Sequence, residues 1–228
     1  FASAGPLRAT AVLLLLGLTW LLANTLFGGD SGASVRHFFS GASVEPTPTE
    51  LRPRRYKCGL SAPCPPKHLA FRLVSGAANV IGPKICLEDK MLVSSVKNNV
   101  GRGLNIALVN GVTGELLDTK TFDMWAGDVS DLLKFLRPLH EGTLVFVASF
   151  DDPATKMNDE ARRLLEELGS SDRRLAFRDS YIFVGARQAS ENKRSSLSRK
   201  NSKSSNKYEG WPESLEMDGC IPLRAPLE

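Results

Sequence analysis

From residue 68 onward, the apolar positions of the chain fall into short runs that are typical of β-strands. Two runs, Thr143–Phe150 and Ser180–Ala186, are almost continuously apolar, which predicts central strands buried on both faces. The run His68–Ser75 instead places apolar side chains at every second position from Leu69 to Leu73, which predicts one buried face. The other predicted strands are Pro83–Leu87, Met91–Val96, Leu104–Val109 and Leu116–Phe122.

Two segments carry apolar residues at helical spacing. One begins after Asp128, a favourable N-cap, and continues to about Leu139. The other is Asp159–Leu168, which Gly169 ends. Two helices among several strands predict an α/β or α+β sandwich with a mixed sheet. The number of β-prone runs excludes a four-helix bundle.

The most informative stretch is Gly101–Trp125, in which two predicted strands flank a short connection. Asn110-Gly111 and Thr113-Gly114 tolerate positive φ, so the stretch predicts a β-hairpin. Asp123 and Trp125 follow the second strand directly. Glycines beside a strand, with an acidic and an aromatic residue at its exit, indicate a platform close to solvent.

The N-terminal residues differ in composition from this body. Arg8 precedes the apolar run Ala9–Phe27, so residues 1–28 are predicted to be a cleaved secretory signal, with an uncleaved membrane anchor as the alternative. Residues 29–56 are rich in Gly, Ser, Pro and Thr and are predicted to be a linker or pro-segment. The segment ends in a basic motif that fits either furin-like cleavage before Tyr56 or a juxtamembrane patch. Its basic residues are Arg52, Arg54 and Arg55.

The net charge of +4 is concentrated outside the body of the protein. Residues 57–186 contain 16 basic and 16 acidic residues, whereas the Ser-rich tract 187–207 carries a net +6. A neutral body indicates no nucleic-acid-binding face. Residues 57–228 are therefore predicted to form a single domain carrying a flexible basic loop at 187–207. The alternative for that loop is a contact with heparan-like polyanions or a further processing site.

Four cysteines follow the predicted signal: Cys58, Cys64, Cys86 and Cys220. An even number in an oxidising compartment predicts two disulfides, with three possible pairings. The spacing contains no CxxC pair and no nearby histidine at ligand spacing, which argues against zinc and predicts no metal site.

The sequence contains no recognisable catalytic set, and we predict a protein without enzymatic activity or a cofactor. It lacks an HExxH motif, a nucleophile elbow and a Walker motif. Asp151 and Asp152, at the exit of a predicted central strand, are the one acidic pair of interest. They fit cation binding or acid–base chemistry, but a turn in which Asp accepts backbone N–H groups is the favoured interpretation.

The motifs GRG, NGVTGE and FDMW, with SGAANVIGPKICLEDK before them and FRDSYIFVGA after them, resemble the family-with-sequence-similarity-three secreted proteins. This family of cytokine-like factors includes the pancreatic-derived factor and the interleukin-like inducer of epithelial–mesenchymal transition. The resemblance implies a compact β-β-α fold and the disulfides Cys58–Cys86 and Cys64–Cys220. It also implies an extracellular signalling factor that acts on an unidentified cell-surface receptor in glucose and insulin regulation.

The same strand–turn–strand pattern resembles a sugar-binding domain in the stem of a protein O-mannose N-acetylglucosaminyltransferase. That resemblance implies a ligand site in which an aromatic ring stacks on a sugar while charged groups bind its hydroxyls. The alternative is structural, with Trp125 in the core and the charged residues in turns and ion pairs. A lectin-like module that binds glycans is thus the second functional prediction. Its candidate residues are Asp123, Trp125, Arg178 and Asp179.

Overall fold

The computed structural model describes residues 12–22, 55–172, 174–187 and 195–224. The chain divides into two compact units, Phe1–Arg52 and Pro53–Glu228. In the first unit, residues 12–22 form helix α1. None of the described helices is long and apolar enough to cross a membrane. The rest of the predicted signal, nearly all of the predicted linker, and Arg52 and Arg54 of the basic motif lie outside the described residues.

The described residues of the second unit form nine strands and two α-helices. The strands are β1 His68–Val74, β2 Lys84–Leu87, β3 Lys90–Val93, β4 Gly103–Asn110, β5 Leu116–Phe122, β6 Thr143–Phe150, β7 Ser180–Ala186, β8 Ser195–Arg199 and β9 Glu216–Pro222. The helices are α2 (Val129–Leu136) and α3 (Asp159–Glu167). The strands form a four-stranded sheet in the order β3-β2-β1-β9 and a five-stranded sheet in the order β5-β4-β6-β7-β8.

The five-stranded sheet lies between two hydrophobic cores. Alternate residues of β4, β6 and β7 point to opposite faces, so Phe146 packs toward the four-stranded sheet while Val145 packs toward the helices. Leu132 of α2 and Leu165 of α3 close the helix-side core. This arrangement confirms the predicted α+β sandwich with a β-β-α layer order. It also explains why the central strands are almost continuously apolar.

The predicted mixed sheet is wrong, because every described strand pairing is antiparallel. The error has a topological cause. The segment that carries α3 joins β6 to β7, which are neighbours in the sheet but run in opposite directions. A helix between two strands suggests a parallel crossover, yet this connection returns the chain antiparallel.

Two disulfides join the start of this unit to its interior and to its end. Cys58 is bonded to Cys86, and Cys64 is bonded to Cys220 across 156 residues of sequence. Cys220 lies in β9, which pairs with β1 along its whole length. The pairing implied by the family resemblance is therefore confirmed, and the C-terminal strand is crosslinked to the beginning of the unit.

Part of the tract 187–207 forms a strand that its composition does not predict. Ser195–Arg199 form β8, which pairs with β7 at the edge of the five-stranded sheet. The prediction of a loop is wrong over these residues. An edge strand contributes little to a core, so its Ser-rich, basic sequence resembles that of a solvated loop. Residues 188–194 of the predicted loop lie outside the described residues.

Candidate functional site

The exit of the β4–β5 hairpin is held by an ion pair between Arg102 and Asp123. Arg102 donates from Nε (3.1 Å) and from a terminal guanidinium nitrogen (2.7 Å) to the two carboxylate oxygens of Asp123. Oδ1 also accepts the backbone N–H groups of Trp125 (2.9 Å) and Ala126 (3.1 Å). Asp123 thus shapes the turn that leads from β5 toward α2.

A glycine permits this close approach of two backbone segments. Gly103 adopts φ +98°, and a Cβ at this position would lie 2.0 Å from the carbonyl oxygen of Phe122. Only glycine adopts this conformation and fits this space without strain. Because Gly103 begins β4 and Phe122 ends β5, the glycine brings Arg102 beside Asp123.

The two charges stabilise each other's ionised form. The hydrogen bonds from Arg102 outweigh the desolvation of the carboxylate and, with the backbone donors, lower the pKa of Asp123 to about 2. The same pairing raises the pKa of Arg102. Asp123 is therefore a carboxylate that only accepts hydrogen bonds across the physiological pH range.

Trp125 lies at the surface and not in the core. The residue is 45% exposed, and its ring centroid lies 5.4 Å from that of Phe177, which is also 45% exposed. The two tilted rings form a continuous aromatic surface. The interpretation of Trp125 as a core residue is wrong, because the neighbouring Met124 takes the buried position.

Arg178 extends this surface. Its guanidinium carbon lies 3.4 Å from the ring centroid of Trp211 and 4.8 Å from that of Phe177, and its Nε donates to Asp151 Oδ1 (3.2 Å). Arg178 also adopts φ 58°, in the left-handed region. We call Trp125, Phe177, Arg178 and Trp211 the aromatic shelf.

Asp179 does not join the shelf. Only 2% of the residue is exposed, and its oxygens accept from the backbone N–H groups of Ala176 and Asn201 and from Lys200 Nζ (all 2.8 Å). It therefore ties the turn before β7 to the chain after β8. The structure brings three of the four predicted ligand residues to one surface and gives the fourth a buried, structural position.

Arg102, Phe177 and Trp211 were not among the residues predicted for the site. Asp152 is buried, with 1% of the residue exposed, which its place in the sequence did not predict. Asp152 Oδ1 accepts from the backbone of Ala154 (3.0 Å) and Thr155 (3.3 Å), which confirms the predicted turn. Its Oδ2 has no hydrogen-bond partner among the described residues. The signal for Arg102, Phe177 and Asp152 is their position next to the ends of predicted strands, whereas Trp211 lies in the connection between β8 and β9 and has no such signal.

Comparisons with known proteins identify the family of the chain. The model of the interleukin-like EMT inducer family matches residues 102–189, which contain the hairpin and both helices of the second unit. Protein FAM3A of Mus musculus is 64% identical over 225 residues, covering 97% of each chain. Protein FAM3C of Homo sapiens is 49% identical over 222 residues, with 97% of this chain and 98% of the relative covered. Protein FAM3D of Homo sapiens is 50% identical over 220 residues, with 96% of each covered.

Proposed function

This chain belongs to the FAM3 family of cytokine-like proteins, and from that membership we propose that it is a secreted signalling factor acting on a cell-surface receptor. The processes regulated are metabolic and include glucose handling and insulin signalling, as the resemblance to the family implies. Action depends on the fit between the folded surface and the receptor, and requires neither a cofactor nor a catalysed reaction.

The pair of disulfides is the observation that carries the extracellular part of this proposal. All four cysteines are paired, and the crosslinks join segments 28 and 156 residues apart. Disulfides of this kind persist in oxidising compartments and are rare in the reducing cytosol. They also hold one rigid surface for a partner, which lowers the conformational entropy lost on binding.

The aromatic shelf is the surface that best fits a protein partner. Trp, Phe and Arg are enriched in protein interfaces, and Trp and Arg are enriched among the residues that contribute most of the binding energy. Trp125 and Phe177 are both exposed, while stacking and the ion pair to Asp151 fix Arg178. The shelf therefore presents a preorganised group of such residues.

A cell-binding experiment tests the proposal. Labelled, oxidised protein is titrated onto insulin-responsive cells, and binding and insulin signalling are measured together. We expect saturable binding, which Trp125→Ala weakens by about tenfold or more. Val96→Ala is the matched control, since Val96 is a 97% exposed apolar residue outside the shelf. Absence of saturable binding contradicts the receptor proposal, and equal loss in the control contradicts the role of the shelf.

Glycan binding is the second candidate function, and a specific arrangement favours it. The exposed ring of Trp125 can stack on a sugar, and it lies two residues from the ionised Asp123. Arg178 presents its guanidinium group on the same shelf, and guanidinium N–H groups donate hydrogen bonds to sugar hydroxyls.

An NMR titration with N-acetylglucosamine glycosides and a small glycan panel separates the two candidates. A glycan module is expected to give saturable shifts at Asp123, Trp125 and Arg178, with affinities of roughly millimolar to micromolar. Trp125→Ala should abolish these shifts, whereas Val96→Ala should leave them. A flat titration of folded protein contradicts the glycan function and leaves receptor binding as the role of the shelf.

A further inference from the structure

Strand β5 is an open edge of the five-stranded sheet. It pairs with β4 on one side, and no other described strand pairs with it on the other. Most of its residues are exposed, including Leu116 (43%) and Leu117 (55%). A seven-residue edge strand with exposed apolar side chains is a template for pairing with another strand.

The charges of β5 are arranged in a self-complementary way. Asp118 and Lys120 are two residues apart and therefore share one face of the strand. Both are exposed, and neither forms an ion pair with any described residue. Lys120 instead lies over the rings of Phe122 and Phe135, 5.4 and 5.8 Å from their centroids.

The backbone N–H of Thr119, at the centre of the strand, can also pair with an incoming strand. The N–H of Thr119 donates to the side chain of the preceding Asp118 (2.7 Å). Asp118 thus satisfies a donor on an edge strand by a local contact. If its carboxylate moves to a cation on another chain, this N–H becomes available to an incoming carbonyl.

We propose that β5 pairs antiparallel with β5 of a second copy of this chain, with Thr119 on the two-fold axis. In this register Asp118 lies opposite the partner's Lys120, and Lys120 lies opposite the partner's Asp118. Registers centred on residue 118 or 120 place like charges directly opposite each other, which is unfavourable. Of these three registers, only the one centred on Thr119 places opposite charges together, and this self-complementarity favours a second copy of the chain as the partner.

The resulting interface is isologous and joins two five-stranded sheets into one of ten strands. Leu117 lies opposite Thr121 of the second copy, and Leu116 lies opposite its Phe122. The exposed leucines of the edge are thereby covered. Such a dimer presents two copies of the aromatic shelf and can engage two receptors or glycans at once, which raises avidity without new contacts.

Charge reversal tests the pairing on the oxidised protein by sedimentation equilibrium. We expect wild-type protein to show a concentration-dependent monomer–dimer equilibrium. Asp118→Lys and Lys120→Asp each place like charges opposite each other, so each should raise the dimer dissociation constant about tenfold or more. An equimolar mixture of the two variants restores opposite charges at both positions, so it should form the heterodimer.

The double variant Asp118→Lys with Lys120→Asp is the matched control within one chain. It keeps the pairing self-complementary and should dimerise like the wild type. Both side chains are exposed, so circular dichroism should show an unchanged fold in every variant. A wild-type protein that stays monomeric at all concentrations overturns the proposal. A dimer that neither single reversal weakens, or two weakened variants that do not associate when mixed, overturns the β5 register.

Discussion

Arg102 and Asp123 are joined by two hydrogen bonds, of 3.1 and 2.7 Å, that tie the entry of β4 to the exit of β5. The pair does more than neutralise charge. Because Oδ1 of Asp123 also accepts the backbone N–H of Trp125, the position of the shelf's first aromatic residue depends on this carboxylate. A variant at Asp123 therefore changes the fold of the turn as well as any ligand contact.

The first prediction concerns acid stability. The pKa of Asp123 is lowered from its ordinary value of 3.8 to about 2, so the folded state favours the ionised form. This contribution to stability is complete above about pH 4 and is lost as the pH falls toward about 2. Asp123→Asn should therefore lower the free energy of unfolding at pH 7, and its difference from the wild type should shrink near pH 2.

Urea unfolding at the two pH values measures this effect. Arg102→Gln removes the basic partner of the same ion pair. Its difference from the wild type in free energy of unfolding should therefore also be smaller at pH 2 than at pH 7. The double variant should lose less stability than the sum of the two single losses, because the residues share one interaction. If Asp123→Asn lowers the free energy of unfolding by the same amount at pH 7 and at pH 2, the assigned ion pair is contradicted.

The second prediction concerns Gly103. In Gly103→Ala, the new methyl group would lie 2.0 Å from the carbonyl oxygen of Phe122 and 2.6 Å from the backbone nitrogen of Met124. The alanine would also have to adopt φ +98°, which is strained for any residue with a Cβ. We expect a loss of about 3 kcal/mol or more in the free energy of unfolding. Gly219→Ala is the control, because a Cβ there lies 3.5 Å from the ring of Phe71, an ordinary contact. Equal losses in free energy of unfolding for the two alanine variants would contradict this explanation.

Much of the fold could be read from periodicity. The bounds of β5, β6 and β7 were predicted correctly, because these strands have clear apolar runs or turn residues at their ends. Strand β8 could not be predicted, since it is stabilised by pairing with β7 and contributes little apolar area. The direction of β7 relative to β6 could not be predicted from local sequence either, because it depends on how the segment that carries α3 returns the chain to the sheet.

The candidate site was predictable only in part, for the same reason. Asp123 and Trp125 stand out at the end of a predicted strand, and Arg178 stands out before another. The partners that decide their roles are distant in sequence: Arg102 for the carboxylate, Phe177 for the indole. Asp179 shows the limit most clearly, since it is buried by contacts to residues more than 20 positions away.

The third prediction compares the two disulfides. In the chain-entropy model, a crosslink over 156 residues stabilises by about 5 kcal/mol, and one over 28 residues by about 3.5 kcal/mol. Replacing Cys64 and Cys220 by serine should therefore lower the free energy of unfolding more than replacing Cys58 and Cys86. The urea m-value should also rise more, because the longer loop restrains the unfolded chain further. If replacing Cys58 and Cys86 causes the larger loss in free energy of unfolding, local packing around that disulfide contributes more to stability than the length of the loop it closes.

The fourth prediction separates stacking from backbone strain at Arg178. Arg178→Ala removes the contacts with Trp211 and Asp151 but retains φ near 58°, so it should cost about 1–3 kcal/mol. Arg178→Gly loses the same contacts while relieving the left-handed conformation, so it should be more stable than the alanine variant by about 1 kcal/mol. Arg178→Lys keeps the charge without the planar stack, and its stability should lie between the wild type and Arg178→Ala. Urea unfolding followed by tryptophan fluorescence measures all three, and a glycine variant no more stable than the alanine variant would show that the backbone at this position stores no strain.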